Sequence, residues 1–166
     1  MYDRLLVALD GSPPAEHVLE HAQALAQAFG SSIILLRAIV SAEMVLTQAA
    51  AADTSIGQIA PVLDPDVIVE ADRSAAIEYL ENIATDLRVR NLKVEIETPE
   101  GPANNVIVER AAAIGAGLIL MTTHGRSGLG RVVFGSVADS VLRHAPCPVL
   151  MVRITEEHQH EMTTSR

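Results

Sequence analysis

The stretch THGRSGLGRVVFGSVAD, Thr123 to Asp139, carries Gly125, Gly128, Gly130 and Gly135 with Arg126 and Arg131 between them. Glycines of this density tolerate positive φ and let backbone N–H groups come close to a ligand. From Met121 to Arg153 the basic residues are Arg126, Arg131, Arg143 and Arg153, against Asp139 alone. Backbone donors, a following helix N-terminus and guanidinium groups together suit a phosphate. The loop has no Gly-Lys-Ser/Thr and is not a Walker loop; its glycine spacing is not the dinucleotide fingerprint either. A plainer reading stays open beside this one. The glycines make a turn, Ser136 caps the last helix, and Asp139 three residues on completes a capping box.

Other residues invite chemistry and lack the company it needs. His17-Val18-Leu19-Glu20-His21 matches an H-x-x-E-H pattern, with both histidines on one helical face. No third ligand is evident, so a surface helix with polar histidines is expected. His158 and His160 fall in a polar tail, and His124 has no carboxylate close in sequence. Cys147 between Pro146 and Pro148 reads as a small buried residue. Neither a catalytic residue nor a dedicated metal site is expected.

The elements that would position the loop follow from hydrophobic patterning. Arg4–Leu9 is a short apolar run closed by Asp10-Gly11-Ser12-Pro13-Pro14, hence a buried strand and a turn. Ser12 before Pro13 signals a helix start, and Val18, Ala22, Leu25 and Phe29 recur at helical spacing up to Gly30. Ser32–Ala38 is a second strand; residues 41–72 show no sustained period and read as a long loop, in part helical. A helix resumes from Ser74, Lys93–Thr98 alternates like a strand near an edge, and Asn104 is expected to cap a third helix. Leu118–Thr122, Ser136–His144 and Pro148–Arg153 give strand, helix and strand. The fold class is therefore α/β, an open five-stranded parallel sheet with helices on both faces, Rossmann-like. Ligands of such sheets bind where the winding reverses. That brings Asp10-Gly11-Ser12 opposite the glycine loop.

Composition narrows the partners. The 166 residues fit one domain at roughly 100–200 residues each. With 12 basic and 21 acidic residues the net charge is -9, against a general nucleic-acid or membrane-surface role. The longest uncharged apolar stretch, Ala111 to Thr123, is shorter than the ~18 residues of a span. With one cysteine and no basic-then-apolar N-terminus, a cytoplasmic location is expected. The aromatics are Tyr2, Phe29, Tyr79 and Phe134, too few for a base-stacking platform.

Three segments resemble the universal stress protein family: RLLVALDGS at the start, LLRA after the second strand, and THGRSGLGRVVFGSVADSVLRHAPCPVLMV near the end. The resemblance covers residues 1–154, with 155–166 a polar tail. The family's nucleotide-binding branch has glycine, two residues, glycine, nine residues, then glycine with serine or threonine. Gly125 matches the second glycine and Gly135-Ser136 the last pair, but Thr122 stands where the first glycine would be. The resemblance implies an α/β fold of the adenine nucleotide alpha hydrolase-like kind that binds ATP, ADP or AMP, magnesium accompanying a triphosphate. By position, Asp10 would hold the ribose hydroxyls, Ala38 would meet the adenine edge, and Ala8 and Leu9 would line the base pocket. Met121 and Thr122 lead into a phosphate-holding set of Gly125, Arg126, Gly128, Gly135, Ser136 and Val137. A homodimer through the last strand, Pro148 to Arg153, is implied, with a regulatory role and at most slow hydrolysis. The other reading is a dimeric interaction module of the same fold that binds no nucleotide, favoured by Thr122.

Overall fold

The computed structural model describes residues 2–51, 64–124 and 135–154. The strands are β1 (Arg4–Ala8), β2 (Ser32–Leu36), β3 (Lys93–Glu97), β4 (Leu118–His124) and β5 (Val149–Ile154). All neighbouring strands are parallel, in the order β3-β2-β1-β4-β5. The helices are α1 (Val18–Phe29), α2 (Ala42–Ala51), α3 (Pro65–Val89), α4 (Ala103–Ala113) and α5 (Ser136–His144). The expected fold class is the observed one.

Alternation along each strand sorts the core into two layers. Leu5, Val7, Ile33, Leu35, Leu118 and Leu120 face α1 and α3, where Ala22, Ala26, Leu80 and Ala84 meet them. Leu6, Ala8, Ile34, Leu36, Ile119 and Met121 face α4 and α5, against Val106, Ile107, Ala111, Ala138 and Val141. Strands buried on both faces read as unbroken apolar runs, the signal by which β1, β2 and β4 were found. Small helix residues let helix and sheet backbones approach, so the core closes with hardly any aromatic side chains.

Several boundaries differ from the sequence reading. Pro13–His17 forms a 3-10 turn before α1, and the Ser12 hydroxyl makes no cap bond there. Gly30 ends α1 in the left-handed conformation (φ +69°), its N–H on the Ala26 carbonyl, as the stop signal implied. The segment 41–72 is no continuous loop: it supplies α2 and the first turns of α3. Asp64 caps α3 by accepting from the Asp66 N–H, and Pro65 takes the first helical position. Pro102, not Asn104, is the N-cap of α4. Asn104 lies in the first turn, its amide directed to Asn105 and Ser140. The polar tail 155–166 falls outside the described residues.

Candidate functional site

β1 and β4 pair only at Leu5–Leu118, Leu6–Ile119 and Val7–Leu120. Past that point β1 stays with β2 and β4 stays with β5. The chain leaves β1 toward α1 on one face and leaves β4 toward α5 on the other, so a crevice opens between the strand ends. It contains a cleft of about 270 Å³. Ala8, Leu9 and Ala15 form one wall; Met121, Thr122 and Thr123 form the other. Ala103 and Ile107 of α4 close one side, and Gly135 to Ala138 at the start of α5 close the next. Asp10 and Ser136 are exposed at the mouth, while the rest of the lining is mostly apolar, apart from Thr122 and Thr123.

Asp10 is held by its own turn. Its Oδ1 accepts the Ser12 N–H at 2.9 Å and the Ser12 hydroxyl at 2.6 Å, an Asx-turn. Among the described residues nothing bonds Oδ2, which leaves one carboxylate oxygen to accept from a ligand. The turn needs Gly11 at φ +85°, and a Cβ there would lie 3.4 Å from the Arg37 guanidinium. Arg37 is itself fixed, with its Nη2 3.0 Å from Asp72 Oδ1, while Asp72 Oδ2 accepts the Val40 N–H at 2.9 Å. The acidic corner of the cleft is thus braced from behind by α3.

Tyr79 lies behind the same corner, its ring centroid 6.0 Å from the Arg37 guanidinium carbon. Its hydroxyl is buried, and among the described residues no partner meets it in good hydrogen-bond geometry, although the Glu16 carboxylate is near enough to act on it. Desolvation, then the charge and hydrogen-bonding pull of the Glu16 carboxylate and the charge of Asp10, push its ionisation well above the usual tyrosine range, against a smaller pull from Arg37. A phenol that resists ionisation when folded stabilises the fold below its unfolded pKa of 10.0, and that contribution fades as pH rises past it. Urea midpoints should fall between about pH 7 and about pH 11 in the native sequence. In Tyr79→Phe the fall should be smaller, because the hydroxyl whose ionisation the fold suppresses is gone.

At the start of α5 the N-cap is Gly135, which brings no capping side chain. This corrects the capping role expected of Ser136, which instead occupies the first helical position, exposed. Nor is there a capping box, since the Asp139 carboxylate forks onto Arg143 at 2.9 and 3.1 Å. That pairing holds Asp139 below the usual carboxylate range. The N–H groups of Ser136, Val137 and Ala138 precede the first intrahelical bond, Asp139 N–H to Gly135 carbonyl at 3.0 Å. They stand at the cleft with the helix dipole behind them.

Of the residues named from sequence, Ala8, Leu9, Asp10, Met121, Thr122, Gly135, Ser136 and Val137 meet in this one cleft. Ala38 does not line it; it packs against the core layer beneath α4 and α5. Gly125, Arg126 and Gly128 lie outside the described residues. Ala15, Ala103, Ile107, Thr123 and Ala138 also line the cleft and were not singled out as site residues. Ile107 was legible only as part of a helical stripe, and Thr123 only as the residue after Thr122. Among the described residues no three His, Cys, Asp or Glu side chains gather to hold a metal, His17, Glu20 and His21 included. Burial raises the Cys147 thiol above the usual cysteine range, which favours the inert protonated form. No helix among the described residues is long and apolar enough to cross a membrane.

Residues 1–153 match the sequence profile of the universal stress protein family. The chain belongs to that family. A putative universal stress protein of Staphylococcus aureus is 30% identical over 160 residues, covering 94% of this chain and 86% of the relative. Among solved structures, that of the hypothetical protein MJ0577, determined to assign a biochemical function from structure, superposes with a TM-score of 0.73. It shares 26% identity and covers 94% of this chain and 99% of its own. A universal stress protein in complex with cAMP has the same fold at 19% identity, TM-score 0.62, covering 92% of this chain and 97% of its own. The α/β fold of this chain, a five-stranded parallel sheet with helices, is thus the fold of these relatives.

Proposed function

We propose that this universal stress protein binds ATP or a related adenine nucleotide in the reversal-point cleft and acts as a stress-response regulator. The observation that carries the reading is the meeting, in one cleft, of an acid from the first strand with the uncapped N-terminus of α5. Asp10 Oδ2 would accept from the ribose hydroxyls, and Ala8 and Leu9 would pack on the base. The N–H groups of Gly135, Ser136 and Val137 would take the phosphates, with Gly125, Arg126 and Gly128 joining by their place in the motif. The cleft volume is present with Thr122 in its wall, so the residue does not fill the site. Magnesium would arrive on the triphosphate, since Asp10 is the single carboxylate among the described lining residues. Among the described residues no lining side chain is placed as a general base, and we read hydrolysis as slow at most, assisted by charge stabilisation from Arg126.

Native mass spectrometry of gently purified protein, followed by calorimetric titration with ATP and AMP, tests this. Retention or saturable binding is expected. A protein that emerges empty and takes up neither nucleotide would refute the reading and leave the interaction module.

A cytoplasmic homodimer through β5 completes the proposal. Val149 to Val152 are half-buried on a strand whose outer edge has no partner among the described residues. The Pro148 carbonyl accepts from Ile119 on β4, so by alternation the N–H groups of Val149, Met151 and Arg153 point outward. Met151→Pro removes an outward donor and spares the ladder to β4. Light scattering should find a dimer in the native sequence and a folded monomer in this variant; a dimer in both would place the contact elsewhere.

A further inference from the structure

Thr123 presents a feature that neither the motif nor the core accounts for. It is 4% exposed, yet among the described residues its Oγ1 has no hydrogen-bond partner. Buried side chains on the same face of the cleft include Met121, Ile107 and Ala138, which offer no acceptor stronger than the Met121 thioether. A buried hydroxyl left unpaired costs free energy that a methyl in the same place would not. The sheet sets its direction. Met121 faces α4 and α5, and Thr123, two residues on, takes the same face and lines the cleft beside Gly135 and Ser136. The orphan hydroxyl and the uncapped N–H groups of the first turn of α5 therefore share one wall. Each is polar and, among the described residues, has no side-chain partner.

We infer that Thr123 is a ligand-binding residue whose hydroxyl donates to a phosphate oxygen of the bound nucleotide, completing a donor set begun by the first turn of α5. This rests on the proposed nucleotide reading and adds to it a side-chain contact. A phosphate oxygen is the acceptor that fits, because helix N–H groups converging on the same place favour negative charge. The base would lie on the apolar lining, where a hydroxyl is not needed.

The test uses Thr123→Val, which keeps the shape and removes the hydroxyl, and Thr123→Ser, which keeps the hydroxyl and removes the methyl. Thr123→Val should weaken AMP roughly tenfold or more, as expected for a hydrogen bond to a charged acceptor. Adenosine, lacking the phosphate, should bind both forms alike in competition titrations, and Thr123→Ser should retain most of the AMP affinity. The thermal midpoint of unliganded Thr123→Val should equal or exceed that of the native sequence, which a structural hydroxyl would not allow. An unchanged AMP affinity in Thr123→Val, or an equal loss for AMP and adenosine, would overturn the assignment. Failure of the native protein to bind either ligand would instead refute the nucleotide reading and carry this inference with it.

Discussion

Asp10→Ala is expected to lower ATP affinity by about 10- to 100-fold, the range for hydrogen bonds with a charged partner. Two effects combine. The substitution removes Oδ2, the acceptor offered to the ribose, and it removes Oδ1, which holds the Ser12 N–H and hydroxyl. Asp10→Asn separates them. An amide oxygen can still accept from the Ser12 N–H and keep the Asx-turn, while the charge and one acceptor are lost. Its affinity should lie between the native and alanine values, with the loop intact by backbone chemical shift. Calorimetry on the three proteins reads the result. Equal affinities throughout would show that the carboxylate does not meet the ligand.

The largest effect on stability is expected from Leu120→Ala. Leu120 is fully buried on β4, facing α1 and α3 in the layer shared with Leu5, Val7 and Leu35. Truncating a side chain so placed costs about 2–5 kcal/mol, the transfer term plus the cavity left behind. Domains are stable by about 5–15 kcal/mol in total, so this is a large fraction. The alanine-rich helices make relaxation harder, because Ala22 and Ala84 have no rotamers with which to fill a hole. Urea denaturation with an unchanged slope and a lower midpoint would confirm the figure. A cost below about 1 kcal/mol would mean that the helices collapse onto the sheet more readily than close packing allows.

The parts of the fold that were legible in sequence are those whose environment leaves a periodic trace. β1, β2 and β4 lie between two helical layers and read as apolar runs; β3 at the edge, with Lys93 and Glu95 exposed, reads as alternation. The start of α3 left no such trace. Val67 in its first turn is 59% exposed, and among its opening residues Val69 alone is buried, so no stripe forms. The local signal was nonetheless present in Asp64-Pro65, a cap followed by a proline at the first helical position. For α2 the apolar residues run around the helix and give no face to detect.

The site divides the same way. Asp10, Gly135 and Ser136 are polar or special residues at element ends, and the turn and helix-start rules place them. Ala15, Ala103 and Ala138 are in the lining for their smallness, which no local pattern marks as functional. Thr123 differs in kind: nothing in a sequence says that a hydroxyl will be buried with no partner. The Ser136 and Asn104 caps were misassigned for a shared reason. The residue just before each, Gly135 in one case and the Pro102-Ala103 pair in the other, already supplied the backbone geometry that begins a helix.

Beyond Leu120, β4 keeps its ladder to β5 while β1 falls away, and the pairs Met121–Met151, Thr122–Val152 and Thr123–Arg153 carry that ladder along the cleft. Among the described residues the outermost strand is thus the sole hydrogen-bonded strand backing one lip of the crevice. A load applied to that rim, or a second sheet zipped onto it, reaches residues 121–123 across a single row of amides. If the rim is occupied as proposed, a shift there would be passed to the lip, and the reverse.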